Sequence, residues 1–187
     1  MSQASSENLD RLVALSVRGD KVAFEKVLRY WHPRWLRFAT AELSGIEAAK
    51  DAVQEASFQI ARSLFRLKDP AKFRAWSFTI VRRRCKDQLR HQYRDLASIA
   101  LLKTQVEVLG DTQSPDASST RIEDAIDELP RMHQELLTLF YLYGLTMPEL
   151  AGVFDVPTGT IKSRLFAVRA LLRHQLEANE GGSDGTD

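Results

Sequence analysis

The chain has 187 residues, 44% hydrophobic and 27% charged, with a formal net charge of +1. That length holds one domain or two small ones, and the composition is that of a folded protein rather than a disordered one. A charge so near zero neither demands nor excludes a polyanionic partner, but it conceals strong local asymmetry. The single cysteine, Cys85, excludes an internal disulfide and a cysteine-based zinc site, and the four histidines lack metal-ligand spacing, so no cofactor is expected. The first residues carry no basic region followed by an apolar run. No stretch approaches the roughly 18–20 apolar residues of a membrane span. A cytoplasmic protein with no membrane insertion is therefore expected.

Helical periodicity dominates, and the fold class read from it is all-α. Ser6 stands as the cap of a first helix carrying Leu9, Leu12 and Leu15 and ending near Gly19, and Asp20 as the cap of a second. Phe24, Val27, Leu28 and Trp31 recur at helical spacing until Pro33, which is expected to end or kink that helix; Trp35 and Phe38 continue the apolar face. A third helix runs from about Glu47 to Leu64 with Ala49, Val53, Ala56, Ile60 and Leu64 on one side. On the opposite side Asp51, Gln54 and Glu55 form one polar face. After Lys68-Asp69-Pro70 a fourth helix begins near Ala71 and ends near Tyr93. From Arg82 to Arg94 it holds six basic residues (Arg82, Arg83, Arg84, Lys86, Arg90, Arg94) against one acidic, Asp87. Such a strip suits a phosphate backbone. Phe73, Trp76 and Phe78 beside it are either stacking platforms for unpaired bases or plain core.

Between Thr104 and Glu128 seven acidic residues face one basic, Arg121, among Gly, Ser and Pro, which reads as a flexible acidic linker. Beyond it a helix over roughly Arg131–Tyr143 is stopped by Gly144, and Thr146-Met147-Pro148-Glu149 has the form of a capping box. A short helix to Phe154, a turn at Asp155-Val156-Pro157 and a last helix from Thr158 to about Gln175 complete a helix-turn-helix. In the last helix Ile161, Leu165, Val168 and Leu172 make one apolar stripe. Gly159, Ser163, Phe166 and Ala170 lie opposite it, flanked by Lys162, Arg169 and Arg173 on one side and Arg164 on the other. From Thr158 to Arg173 there are four basic residues and no acidic one. Small residues at the start let the backbone approach a major groove, and Phe166 can meet a thymine methyl.

The three features in this order resemble the extracytoplasmic-function sigma factors of bacterial RNA polymerase, in the sigma-70 family. "DAVQEASFQIARSL" is similar to the helix that grips the clamp helices of the polymerase large subunit, which implies core-polymerase-binding roles for Asp51, Gln54 and Glu55. "FRAWSFTIVRRRCKDQLR" is similar to the helix that reads the minus-ten element, implying Arg74, Arg82, Arg83, Arg84, Lys86 and Arg90 as DNA-binding residues. The loop Leu67–Arg74 would capture an unstacked base. "LPRMHQELLTLFYLYGLTMPELAGVFDVPTGTIKSRLFAVRALLR" is similar to region four, whose last helix reads the minus-thirty-five element and whose surface meets the polymerase flap. It implies Thr158, Gly159, Thr160, Lys162, Ser163, Arg164, Phe166 and Arg169 as DNA-binding residues.

Three positions depart from the family pattern. Arg83 replaces a common asparagine, Ala167 a frequent basic residue and Asp155 the usual turn glycine. The implied organisation is region two over 8–95, a linker over 96–121, region four over 122–176 and a disordered tail over 177–187. The implied partners are core RNA polymerase, promoter DNA and an anti-sigma factor. The competing reading is a stand-alone helix-turn-helix regulator with a sensing or dimerising N-terminal domain. A non-DNA interaction protein is disfavoured by the basic last helix. No phosphate loop or acid–base pair supports an enzyme.

Overall fold

The computed structural model describes residues 3–43, 45–102, 125–126 and 128–181, and among them every regular element is helical. Two compact units form, one built mainly on Met1–Leu102 and the other mainly on the chain after it. The expected boundary near residue 120, linker residues 103–121 and tail residues 182–187 lie outside the described residues.

In the first unit, α1 covers Gln3–Val17 and α2 covers Lys21–Glu42. α1 starts before Ser6, which therefore lies inside the helix and is not its cap; serine is only a mildly poor helix former, so the extra turn costs little. Gly19 ends it at φ 95°, where the Asp20 N–H donates to the Leu15 carbonyl at 3.1 Å. Asp20 caps α2 as expected, its Oδ1 accepting from Ala23 N at 2.9 Å. α2 continues past Pro33, which therefore does not end it. Pro33 is exposed, whereas Trp31 and Trp35 on either side are buried, so tertiary burial outweighs the missing hydrogen bond. The next residue, Arg34, folds back to donate to the Tyr30 carbonyl at 2.6 Å and lies 3.7 Å from the Tyr30 ring centroid.

α3 covers Ile46–Ser63 and buries the whole predicted stripe, Ala49, Val53, Ala56 and Ile60, with Leu64 just beyond it. Two 3₁₀ turns, Leu64–Arg66 and Pro70–Lys72, lead into α4, Phe73–Leu102. α4 thus continues past Tyr93, and residues 96–102, expected in the linker, are helical. α2 packs against α1, α3 and α4. Its core is aromatic: Trp31 and Trp35 stack with centroids 6.5 Å apart, Phe73 lies 6.1 Å from Trp31, and Phe38 meets Phe78 edge-on at 5.4 Å.

In the second unit α5 covers Arg131–Leu137 and passes into a π-helical turn, Thr138–Leu142. Gly144 at φ 65° turns the chain, and the Leu145 N–H reaches the Leu139 carbonyl at 3.0 Å. α6, Met147–Phe154, opens on the capping box: Thr146 Oγ1 accepts from Glu149 N at 3.4 Å, and Glu149 Oε2 accepts from Thr146 N at 2.7 Å. Asp155 ends α6 in the left-handed region, φ 56° and ψ 52°. Aspartate, unlike a branched residue, tolerates that conformation. α7 covers Thr158–Gly181, longer than the helix expected to stop at about Gln175, so residues 177–181 of the expected tail are helical. Leu129, Leu137 and Val168 cluster in the core, with Ile126 and Leu172 packed against them.

Candidate nucleic-acid interface

α7 presents its predicted faces. Ile161, Leu165 and Val168 are buried and Leu172 half-buried, which fixes the helix against its own unit. Gly159, Ser163, Phe166 and Ala170 are exposed opposite them, with Thr158, Lys162, Arg169 and Arg173 also exposed and Thr160 and Arg164 half-buried. Phe166 is 75% exposed, the most open large hydrophobic side chain among the described residues. A phenylalanine so placed adds little to the core. A Cβ on Gly159 would meet nothing within 4 Å, so packing does not demand glycine there. Both facts suit a surface shaped for a close ligand. Ser163 Oγ donates to the Thr160 carbonyl at 3.0 Å, and Arg169 Nε donates to the Tyr141 hydroxyl at 2.9 Å. Tyr141 was not singled out by sequence reasoning. Only the fold brings the π-helical turn to the flank of α7.

On α4, Thr79, Arg83, Lys86, Arg90 and Arg94 are spaced four, three, four and four apart and are all exposed, forming one stripe. From Arg83 to Arg94 it spans roughly 16 Å, about five nucleotides of axial rise on one strand. Arg82 sits one position before Arg83 and belongs to a different side of the helix. Arg84 also leaves the stripe: its Nη2 donates to Gln59 Oε1 on α3 at 2.8 Å. Phe73 and Phe78 are buried core residues, leaving only the half-buried Trp76 of that trio open to a stacking base.

The loop before α4 is ordered by Asp69, whose Oδ1 accepts from Ala71 N at 3.1 Å. Lys68, Asp69 and Lys72 are exposed and Arg74 is half-buried. Asp10 of α1 lies close enough to feel both Arg74 and Asp69. Its carboxyl is held above the usual carboxylate range by burial, opposed by Arg74 and reinforced by Asp69. Phe65, 65% exposed with the Arg66 guanidinium 5.3 Å from its ring centroid, is a further aromatic and cation pair that periodicity did not mark.

Asp51, Gln54 and Glu55 are exposed together on α3, opposite the buried stripe. Gln54 also borders an apolar groove between α2 and α3 lined by Phe24, Leu28, Pro33 and Phe58.

Comparison with known proteins gives the family of both parts of the chain. Residues 27–95 match the family description Sigma-70 region 2, and residues 119–172 match Sigma-70, region 4. The ECF RNA polymerase sigma factor SigD of Mycobacterium bovis is 30% identical across 89% of this chain and 82% of its own length. The RNA polymerase sigma-H factor of Pseudomonas aeruginosa is 27% identical across 92% of this chain and 96% of its own. Two solved structures share the fold. Sigma factor RpoE of Bartonella quintana, in complex with the anti-sigma factor NepR, has a TM-score of 0.64 at 23% identity, covering 82% of this chain and 96% of that one. CnrH, in complex with the cytosolic domain of CnrY, has a TM-score of 0.61 at 22% identity, covering 90% and 97%.

Proposed function

The chain belongs to the extracytoplasmic-function sigma factors of the sigma-70 family, promoter-selecting subunits of RNA polymerase, and we propose that it carries out promoter selection through three separate surfaces. Residues 8–95 form region two and residues 122–176 form region four. Asp51, Gln54 and Glu55 dock on the large-subunit clamp helices. The exposed stripe Arg83, Lys86 and Arg90 holds the minus-ten strand by its phosphates, while the loop Leu67–Arg74 receives an unstacked base, whose extrusion costs a few kcal/mol. Lys162, Ser163 and Phe166 enter the major groove of the minus-thirty-five element, with Arg169 on the flank and the helix N-terminus at a phosphate.

The observation that carries the reading is α7, an exposed phenylalanine among small and basic residues directly opposite a buried aliphatic stripe. The protein makes and breaks no covalent bond in this scheme; its work is binding, orientation and strand separation in the cytoplasm. Acidic residues of the linker thread the polymerase interior along the RNA path and yield as the transcript grows. Because both solved relatives are held by a second protein, an anti-sigma factor is the regulator to expect.

The direct test mixes the purified chain with core polymerase, isolates the complex by size exclusion and transcribes a fragmented genomic library. A stoichiometric complex that starts at a discrete promoter set is the expected result. Absence of a complex, together with tight duplex binding by the chain alone, would replace this reading with a stand-alone regulator.

A further inference from the structure

Arg84 stands apart from the other basic residues of α4. Its side chain is 32% exposed and turns toward α3, where Nη2 donates to Gln59 Oε1 at 2.8 Å and Nη1 lies 3.8 Å from Glu55 Oε2. Nη1 also lies 3.7 Å from Asp87 Oδ2 one turn along α4, and Nε is buried without a hydrogen-bond partner. Glu55 and Gln59 are four apart on α3, and Arg84 and Asp87 three apart on α4, so each pair shares one face and the four side chains meet between the helices. The guanidinium is turned to α3 and away from the exposed stripe of Arg83, Lys86 and Arg90.

The geometry points to Arg84 as a positioning residue for polymerase docking, not a DNA contact: it presents the Glu55 carboxylate to the polymerase. The inference rests on the reading that Glu55 belongs to the docking face. A free glutamate has several rotamers, and ordering one such side chain on binding costs roughly 0.5–1.5 kcal/mol. Arg84, anchored by Gln59 and Asp87, restricts Glu55 beforehand by attracting Oε2 and leaving the other oxygen for the partner. The Glu55 side chain is 69% exposed, so this pair adds little to folding and its effect falls on binding. The fork of an arginine is needed, because a lysine ammonium cannot bridge a glutamine and two carboxylates with the same reach.

The full chain is tested with purified core polymerase in four forms besides wild type: E55Q, R84M, E55Q/R84M and R84K. Core affinity is read by competition with labelled wild-type chain, and the salt dependence of promoter binding is read on the holoenzyme. R84M should weaken core binding about two- to ten-fold, the range that corresponds to the ordering cost. The double variant should bind no worse than the weaker single variant, R84K should not restore affinity, and the salt slope of R84M should match wild type. Additive losses in the double variant, or unchanged core affinity with a slope lowered by about one contact, would overturn the role. If R84M does not fold, Q59A removes the 2.8 Å hydrogen bond without touching a charge and must show the same non-additivity with E55Q; additivity there overturns the role equally. E55Q that binds core like wild type would remove the docking reading itself, a result distinct from additivity.

Discussion

Phe166→Ala separates promoter reading from folding, because the side chain is 75% exposed. A phenylalanine covers roughly 200 Å², so only about 50 Å² is buried, worth about 1 kcal/mol at 25 cal/mol per Å². Alanine's better helix propensity returns about half of that. The change in unfolding free energy should therefore stay near 0.5 kcal/mol. In the proposed complex the ring loses its contact with a thymine methyl, and discrimination at that base pair should fall by ~1–3 kcal/mol, roughly 5- to 150-fold. The neighbouring Leu165→Ala is the control. Leu165 is 2% exposed, so truncation should cost about 2–5 kcal/mol of folding and remove recognition along with the domain. The assay is transcription by reconstituted holoenzyme from a library randomised across the upstream element, beside thermal melts of each variant. Phe166→Ala should flatten preference at one base-pair position with its melting temperature nearly unchanged. Identical preference at every upstream position would refute the assignment, as would a uniform loss that tracks a lowered melting temperature.

Arg90→Ala should weaken promoter binding at all sequences and reduce the slope of log affinity against log salt by about 0.7, one phosphate contact on a single strand; a loss confined to one promoter would contradict this. Gly159→Ala should raise the melting temperature, by up to about 1 kcal/mol of helix propensity, because the new methyl meets nothing, yet lower affinity for the minus-thirty-five element. Equal affinity with that gain in stability would show that the backbone does not approach DNA there. Asp10, with its carboxyl raised above the ordinary value of 3.8 by burial, favours the protonated form in the folded protein. Its contribution to stability is thus full below the unfolded value and lost as pH rises through the folded one. Asp10→Asn should therefore melt no lower than wild type at neutral pH, and a thermal pH series should show any advantage shrinking as the solution is acidified. An Asn variant that melts well below wild type at neutral pH would show that the charge, and so the Arg74 attraction, dominates.

α7 was legible because it is amphipathic over four turns and its polar side is chemically unusual. An apolar stripe at Ile161, Leu165 and Val168 dictates which residues face out, whatever the rest of the unit does. The same holds for Asp51, Gln54 and Glu55, set by the stripe through Val53 and Ile60. Boundaries were less legible. Ser6 has the chemistry of a cap, but α1 begins before it; Pro33 has the chemistry of a break, but the buried tryptophans on both sides of it keep α2 intact. The π-helical turn at Thr138–Leu142 leaves no periodic signature in five residues. Long cations were the least legible of all. Periodicity places Arg84 beside Arg83 and Arg169 beside Lys162, but it does not say that a six-bond side chain will reach Gln59 on α3 or the Tyr141 hydroxyl.

The charge distribution explains why a promoter reader has a net charge of only +1. The exposed stripe on α4 has four cations, Arg83, Lys86, Arg90 and Arg94, enough for a salt slope of about 3–4 if each meets a phosphate. Six to ten such contacts on a duplex give slopes of about 5–9. In the proposed complex base reading falls to α7, whose exposed face offers one bulky apolar group, Phe166, the small residues Gly159, Ser163 and Ala170, and the cations Lys162, Arg169 and Arg173. A few base contacts at ~1–3 kcal/mol each discriminate between sequences, but they do not hold a protein on DNA unaided. In this proposal each unit brings only three or four exposed cations and falls short alone. What makes them sufficient together is attachment to a third body, which converts the second binding event into an intramolecular one. In the proposed scheme the polar face of α3 is therefore at the centre of the mechanism. Docking on polymerase does not add to promoter recognition at the margin; it supplies the effective concentration without which two modest DNA surfaces would never be occupied at once.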